Sequence, residues 1–130
     1  MKKEMIVLWL DNQRDPEVWL AKKLTSDTHK NTLAFLQAKV YPYYTPRFVW
    51  VKNVSEFQEY LLTHEMPGLV CFDHDLGRKG DPNGKDAATW LVAFCKERGV
   101  AMPMCWVQSG NFRGAPQIRQ ILGLKEPEQH

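Results

Sequence analysis

An acid, an imidazole and a second acid, Asp73, His74 and Asp75, stand where the apolar run GLVCF ends, and a glycine-containing basic stretch, RKGDPNG, follows. Two other apolar runs end the same way. MIVLWL gives way to Asp11, Asn12 and Arg14, and MCWV to Gln108, Ser109, Gly110 and Asn111. These residue types have a common use. Asp11 and Asp73 can offer hard oxygen ligands to Mg²⁺ (or Mn²⁺), since Mg²⁺ typically takes one or two carboxylates and keeps its waters; Asp75 would serve as a further ligand or supporting acid. Ser109 and the amides around Gly110 and Asn111 are donors suited to phosphate oxygens. Arg14 brings a bidentate fork and Lys85 a point charge to the same group. His74 brings an imidazole, the side chain type best suited to moving a proton. Metal, phosphate cradle and proton carrier together describe phosphoryl transfer or phosphodiester cleavage.

Taken singly, each feature has an ordinary explanation. A carboxylate just beyond a strand is often a helix cap, which fits Asp11, and Ser109 with Asn111 fits simple turn chemistry. Arg14 alone reads as the surface of a first helix. The chemical reading therefore requires the three clusters to meet, and that is a matter of the elements that carry them.

MIVLWL (5–10), RFVWVKN (47–53), GLVCFD (68–73) and MPMCWVQS (102–109) read as strands, the first and third without alternation and so buried on both faces. Between them lie helical stretches. Asp15 with Pro16 marks a cap and first helical position, and THKNTLAFLQAKV extends or restarts that helix. YPYYTPR (41–47) is held extended by its two X-Pro bonds and reads as a packed loop. Ser55 with Gln58 has capping-box spacing for a helix over VSEFQEYLLTHE. KDAATWLVAFCKERG (85–99) ends at Gly99, and GAPQIRQILG (114–123) closes the series. Alternating strands and helices with buried strands imply an α/β fold of three layers, a mainly parallel sheet with helices on both faces. In such sheets ligands bind beyond the carboxyl ends of the strands. A strand order of 2-1-3-4 would bring the ends of strands one, three and four to a single cleft. His29 and His64, on helices among charged neighbours, are expected at the surface; Trp9 and Trp106 are expected in the core.

With 130 residues the chain fits one domain, assigned to 1–124 with a frayed tail over 125–130. The formal charge of +2 is too small to argue for nucleic acid. Cys71, Cys95 and Cys105 are odd in number and lie in apolar segments, as expected of reduced thiols in a cytoplasmic protein. Asp11 interrupts the apolar stretch near the start, which leaves it too short for a signal peptide, and no run approaches the ~20 apolar residues of a membrane span.

Several blocks, in order, resemble a known group. LDNQRDP, FDHDLG, GKDAATWL and QSGNFRG, spread over about residues 6–118, are similar to the cyclic-phosphate-processing receiver-like family, whose pattern runs LDD-x-R-x-P, DHDLG, G-x-D-x-x-x-W-L and HS-x-N-P-x-G. The resemblance implies a receiver/flavodoxin-like fold and action on cyclic phosphates, with a cyclic nucleotide or an RNA terminal cyclic phosphate as partner. By position it carries over Asp11, Arg14, Asp73, His74, Asp75, Ser109 and Asn111. Asn12 replaces the usual second Asp, Gln108 the usual His and Phe112 the usual Pro. The fifth strand of receivers, with its lysine, has no counterpart. A metal-dependent phosphoesterase is the leading expectation; a cyclic-phosphate binding module without turnover and a phosphoacceptor with Asp73 as nucleophile are its rivals.

Overall fold

The first strand is almost wholly apolar because it has sheet neighbours on both sides and helices above and below. A computed structural model, describing residues 2–125, places β1 (Lys3–Leu10) between β2 (Tyr44–Val51) and β3 (Leu69–Phe72), with β4 (Met104–Val107) beyond β3. The four strands are parallel in the order β2-β1-β3-β4, as expected. The helices are α1 (Pro16–Ala21), α2 (Asp27–Lys39), α3 (Val54–Thr63), α4 (Gly84–Arg98) and α5 (Gly114–Leu122). Of the expected tail, residues 126–130 lie outside the described residues.

Alternate strand residues feed two cores. Leu8, Leu10, Val70, Phe72 and Val107 pack under α3, α4 and α5 through Phe57, Leu61, Leu91 and Ile118. Met5, Val7, Trp9, Leu69 and Cys71 pack under α1 and α2 through Trp19 and Leu36. Each fully buried side chain of this size contributes about 1.5–3 kcal/mol, so both faces hold the sheet. Cys71, Cys95 and Cys105 are free and buried. Among the described residues no helix is long and apolar enough to cross a membrane.

Several boundaries and placements differ from expectation, each for a local reason. Strand β2 starts at Tyr44 and contains Pro46; an edge strand tolerates proline because one side of its backbone has no ladder partner. The second helical stretch restarts, one of its two expected courses: Ser26 caps α2 by accepting from the His29 amide. Helix α3 is capped by Asn53, two residues before the expected Ser55, and Glu56 accepts from the Lys52 amide in return. Trp106 is only partly buried, stacked on Phe35 with centroids 4.5 Å apart, and its indole N–H donates to Thr32.

His29 is the clearest reversal, buried instead of exposed. Restarting the chain at Ser26 turns α2 back over α1, so the imidazole meets the Trp19 ring edge-on at 4.8 Å and its Nε2 lies 2.9 Å from the Trp19 carbonyl. Its charged neighbours in sequence point elsewhere on the helix. His29→Ala is expected to cost about 2–3 kcal/mol, the lost packing plus one of the two contacts of the Trp19 carbonyl, which keeps the Lys22 amide, read as a lowered urea midpoint.

Candidate functional site

Pairing continues one residue past each strand, and this aligns the polar ends. The Asp11 amide donates to Val51 O, the Asp73 amide to Leu10 O and the Gln108 amide to Phe72 O, at 2.9–3.0 Å. Asp11, Asp73 and Gln108 therefore stand abreast at the carboxyl edge of β1, β3 and β4. The loops leaving these strands enclose a cleft of about 330 Å³.

Asp11 reconciles its two readings. Its Oδ1 accepts from the amides of Gln13 and Arg14 at 3.0 and 2.9 Å, a turn that starts the path into α1. Its Oδ2 is buried with no hydrogen-bond partner. The closest cation, Arg14 Nη1, is 3.8 Å away and donates instead to the Gln108 carbonyl at 2.8 Å. The Arg14 guanidinium also lies 5.0 Å from the Trp19 ring centre, so it is held at the cleft wall by both a cation–π contact and a strand end 94 residues away.

Asp73 faces Asp11 across the β1–β3 pair. Burial, and then the negative charge of Asp11, push its carboxyl up to about 6, against the opposing pull of Arg14, the His74 amide and the Ser109 hydroxyl. Burial also raises Asp11, though the two amides and Arg14 offset part of that. Two acids taken out of water side by side repel each other, and Arg14 neutralises only part of the charge.

Asp75 lines the same cleft but is engaged elsewhere. Its two oxygens accept from Asn111 Nδ2 at 3.2 and 3.0 Å, and Oδ1 also meets His74 Nδ1 at 2.9 Å. The Asn111 and His74 hydrogen bonds hold its carboxyl below the usual range. Asn111 in turn accepts from the Arg113 and Gly114 amides at 3.0 and 2.7 Å. Asp75 and Asn111 thus latch the β3 loop to the start of α5. Among the described residues no cluster of three or more His, Cys, Asp or Glu side chains converges as a metal-ligand set; of the expected trio, Asp11 and Asp73 stand side by side while Asp75 is held by Asn111 and His74.

Two expected site residues lie apart from this pair. The His74 ring rests on Gly114, where any Cβ would collide with it; with Nδ1 on Asp75 it braces the loop. Lys85 lines a different groove, with Ser55, Gln58 and Trp90 between α3 and α4. The reason is the true start of α4: Asn83 and Asp86 form a reciprocal capping box, which begins the helix at Gly84 and turns Lys85 towards α3. Arg14, Ser109 and Asn111, by contrast, all line the acid cleft.

Sequence reasoning did not single out Gly84 or assign Gln108 its role. A Cβ on Gly84 would strike the Asp73 backbone carbonyl, so glycine lets α4 press on the β3 exit; the N-x-x-D pattern of Asn83 and Asp86 was the available signal. Gln108 is fully buried, and its Nε2 donates to the Leu10 carbonyl at 3.1 Å. It ties the β4 end to β1 and does not reach the cleft as a proton carrier.

The two buried acids could hold a hard divalent cation: Asp11 has an orphaned, buried carboxylate oxygen, and the Asp73 carboxyl beside it is pushed up to about 6 by burial and by that neighbour. A family model described as the cyclic-phosphate processing receiver domain matches residues 6–123. No curated protein and no solved structure matches the chain.

Proposed function

The chain belongs to the cyclic-phosphate processing receiver domain family, and from that premise we propose that its cleft takes a cyclic phosphate carried by a nucleotide or an RNA end, with Mg²⁺ or Mn²⁺ held between Asp11 and Asp73. The observation that carries the reading is the unpartnered, buried Oδ2 of Asp11 next to Asp73. When bound, the ion would neutralise phosphoryl charge and lower the pKa of a coordinated water.

The chain's own groups divide the remaining work. Arg14, pinned by Gln108 O and Trp19, presents positive charge to the phosphate. Ser109 and Asn111 line the same cleft. Hydrolysis would add water across one P–O ester bond: its oxygen joins phosphorus, and a proton ends on the sugar oxygen that leaves, opening the ring to a monoester. Asp73 is the buried carboxylate placed to take the proton from water. His74, expected in that role, instead holds Asp75.

One observation favours binding without turnover. Gln108 is sealed in the sheet and His74 is tied to Asp75, so no imidazole is directed into the cleft among the described residues. The phosphoacceptor reading, with Asp73 as nucleophile, has less support because among the described residues the sheet has four strands and no fifth-strand lysine.

Calorimetric titration with Mg²⁺ or Mn²⁺, then with nucleoside 2′,3′- and 3′,5′-cyclic phosphates, separates these readings when ³¹P spectra follow the ligand. Cation binding that weakens at least about tenfold in Asp11→Asn is expected. Ring opening marks an enzyme; a ligand bound and recovered unchanged marks a binding module. No heat with either cation or any cyclic phosphate would overturn the proposal.

A further inference from the structure

The acid cleft is built for a phosphate and not for a base. At about 330 Å³ it lies at the low end of ligand pockets, roughly 300–1,000 Å³. Its lining comes from Asp, Asn, Gln, Arg, Ser and Gly residues and includes no aromatic or purely apolar side chain. A nucleobase attached to a phosphate seated there has no stacking surface within the cleft. Whatever holds the base must stand at the rim.

One exposed aromatic residue directly adjoins the cleft wall along the chain. Phe112 is 93% exposed and directly follows Asn111 of the cleft wall. Isolated surface hydrophobics are common and carry no message alone; the mounting of this one is unusual. The Asn111 amide donates to the Ser109 hydroxyl oxygen at 3.0 Å, and Asn111 Oδ1 accepts from the Arg113 amide on the other side of Phe112. Asn111 Nδ2 is fixed to both oxygens of Asp75. The backbone is therefore clamped immediately before and after an aromatic ring that contributes almost nothing to the core. Arg113 adds positive charge beside it. An exposed ring on a fixed backbone, next to a phosphate site and a cation, is the arrangement by which proteins hold a base of single-stranded nucleic acid without reading its sequence.

We infer that Phe112 is a stacking platform for the nucleobase of the ligand, so that the protein takes base-bearing cyclic phosphates in preference to base-free ones. This rests on the cyclic-phosphate reading of the cleft and adds the substrate class to it. Stacking is tolerant of base identity, because every base has a π-face, so purine and pyrimidine ligands are both accepted.

The test compares wild type, Phe112→Ala and Phe112→Trp in the presence of Mg²⁺. The ligands are a nucleoside 2′,3′-cyclic phosphate, a short oligoribonucleotide ending in the same group, and a base-free methyl riboside 2,3-cyclic phosphate. Phe112→Ala is expected to lose roughly 5- to 150-fold in affinity for both base-bearing ligands, which is about 1–3 kcal/mol, while the base-free affinity stays unchanged. Phe112→Trp retains or improves base-bearing binding. The tighter of the two base-bearing ligands identifies a free nucleotide or an RNA end as the source. Equal wild-type affinity for base-bearing and base-free ligands, unaltered in Phe112→Ala, overturns this inference and leaves the cyclic-phosphate reading intact; wild type binding none of the three overturns both. Since the ring lies outside the core, unfolding of the variant does not confuse the comparison, and matching urea midpoints confirm it.

Discussion

Asp73→Asn is expected to stabilise the metal-free protein at neutral pH while abolishing its response to divalent cations. The folded-state carboxyl titrates at about 6, against an ordinary 3.8, so the folded chain holds the proton more tightly than the unfolded chain does. For such a group stability is greatest below about pH 3.8, falls as pH rises towards 6, and stays lower beyond it. The difference corresponds to about 3 kcal/mol between the two plateaus. Asparagine keeps the shape without the charge, and its stability carries no such step. In chelator-treated samples the variant's urea midpoint should therefore exceed wild type at pH 7.5 and approach it at pH 3.5. Asp11 feels the loss of its neighbour's charge while the more distant acids titrate alike, so the difference between the two curves reports the Asp11–Asp73 pair. Adding Mg²⁺ reverses the order. Wild type gains about 4.1 kcal/mol at a thousand times the dissociation constant, more than the deficit of about 3 kcal/mol, and the variant gains little. A wild type more stable than Asp73→Asn at pH 7.5 without metal would mean that Arg14 and Ser109 already outweigh the burial of the charge, and the case for a cation between the acids would fall.

Gly84→Ala is expected to destabilise, although alanine is the better helix former by about 1 kcal/mol. The added methyl would meet the carbonyl of Asp73 and the backbone of His74. Backbone atoms cannot rotate aside, so the cost falls at the upper end of the roughly 1–3 kcal/mol typical of overpacking. The net loss is about 2 kcal/mol, a melting temperature lower by about 5–10 °C. A second effect follows from position. The Gly84 amide donates to the His74 carbonyl at 2.9 Å, and pushing α4 outward moves the segment that carries Asp73. The variant should therefore bind Mg²⁺ more weakly than wild type even under conditions where it is fully folded. Unchanged melting and unchanged cation binding would show that α4 does not set the position of the acid.

What was legible in the sequence was the framework. The apolar runs before Asp11, Asp73 and Gln108 are long enough only for strands, and helices intervene between them. Parallel strands joined by helical crossovers place all their carboxyl ends on one edge, so the meeting of three polar clusters follows from the order of residue types. The family, the strand order and the cleft residues Arg14, Ser109 and Asn111 could be read at that level.

Tertiary structure decided what each side chain does there. Lys85 and His74 are near Asp73 in sequence, yet the capping of α4 by Asn83 turns one towards α3, and Gly114 together with Asp75 fixes the other against the loop. His29 has charged neighbours but is buried because α2 restarts at Ser26 and folds back on Trp19. The empty coordination of Asp11 Oδ2 and the suppressed charge of Asp73 depend on groups brought from the far ends of the chain, such as Gln108 drawing Arg14 away. Residue type and spacing determine which edge a group reaches, since that depends on local strand and helix propensity; its direction, partners and proton depend on packing between segments that spacing does not encode.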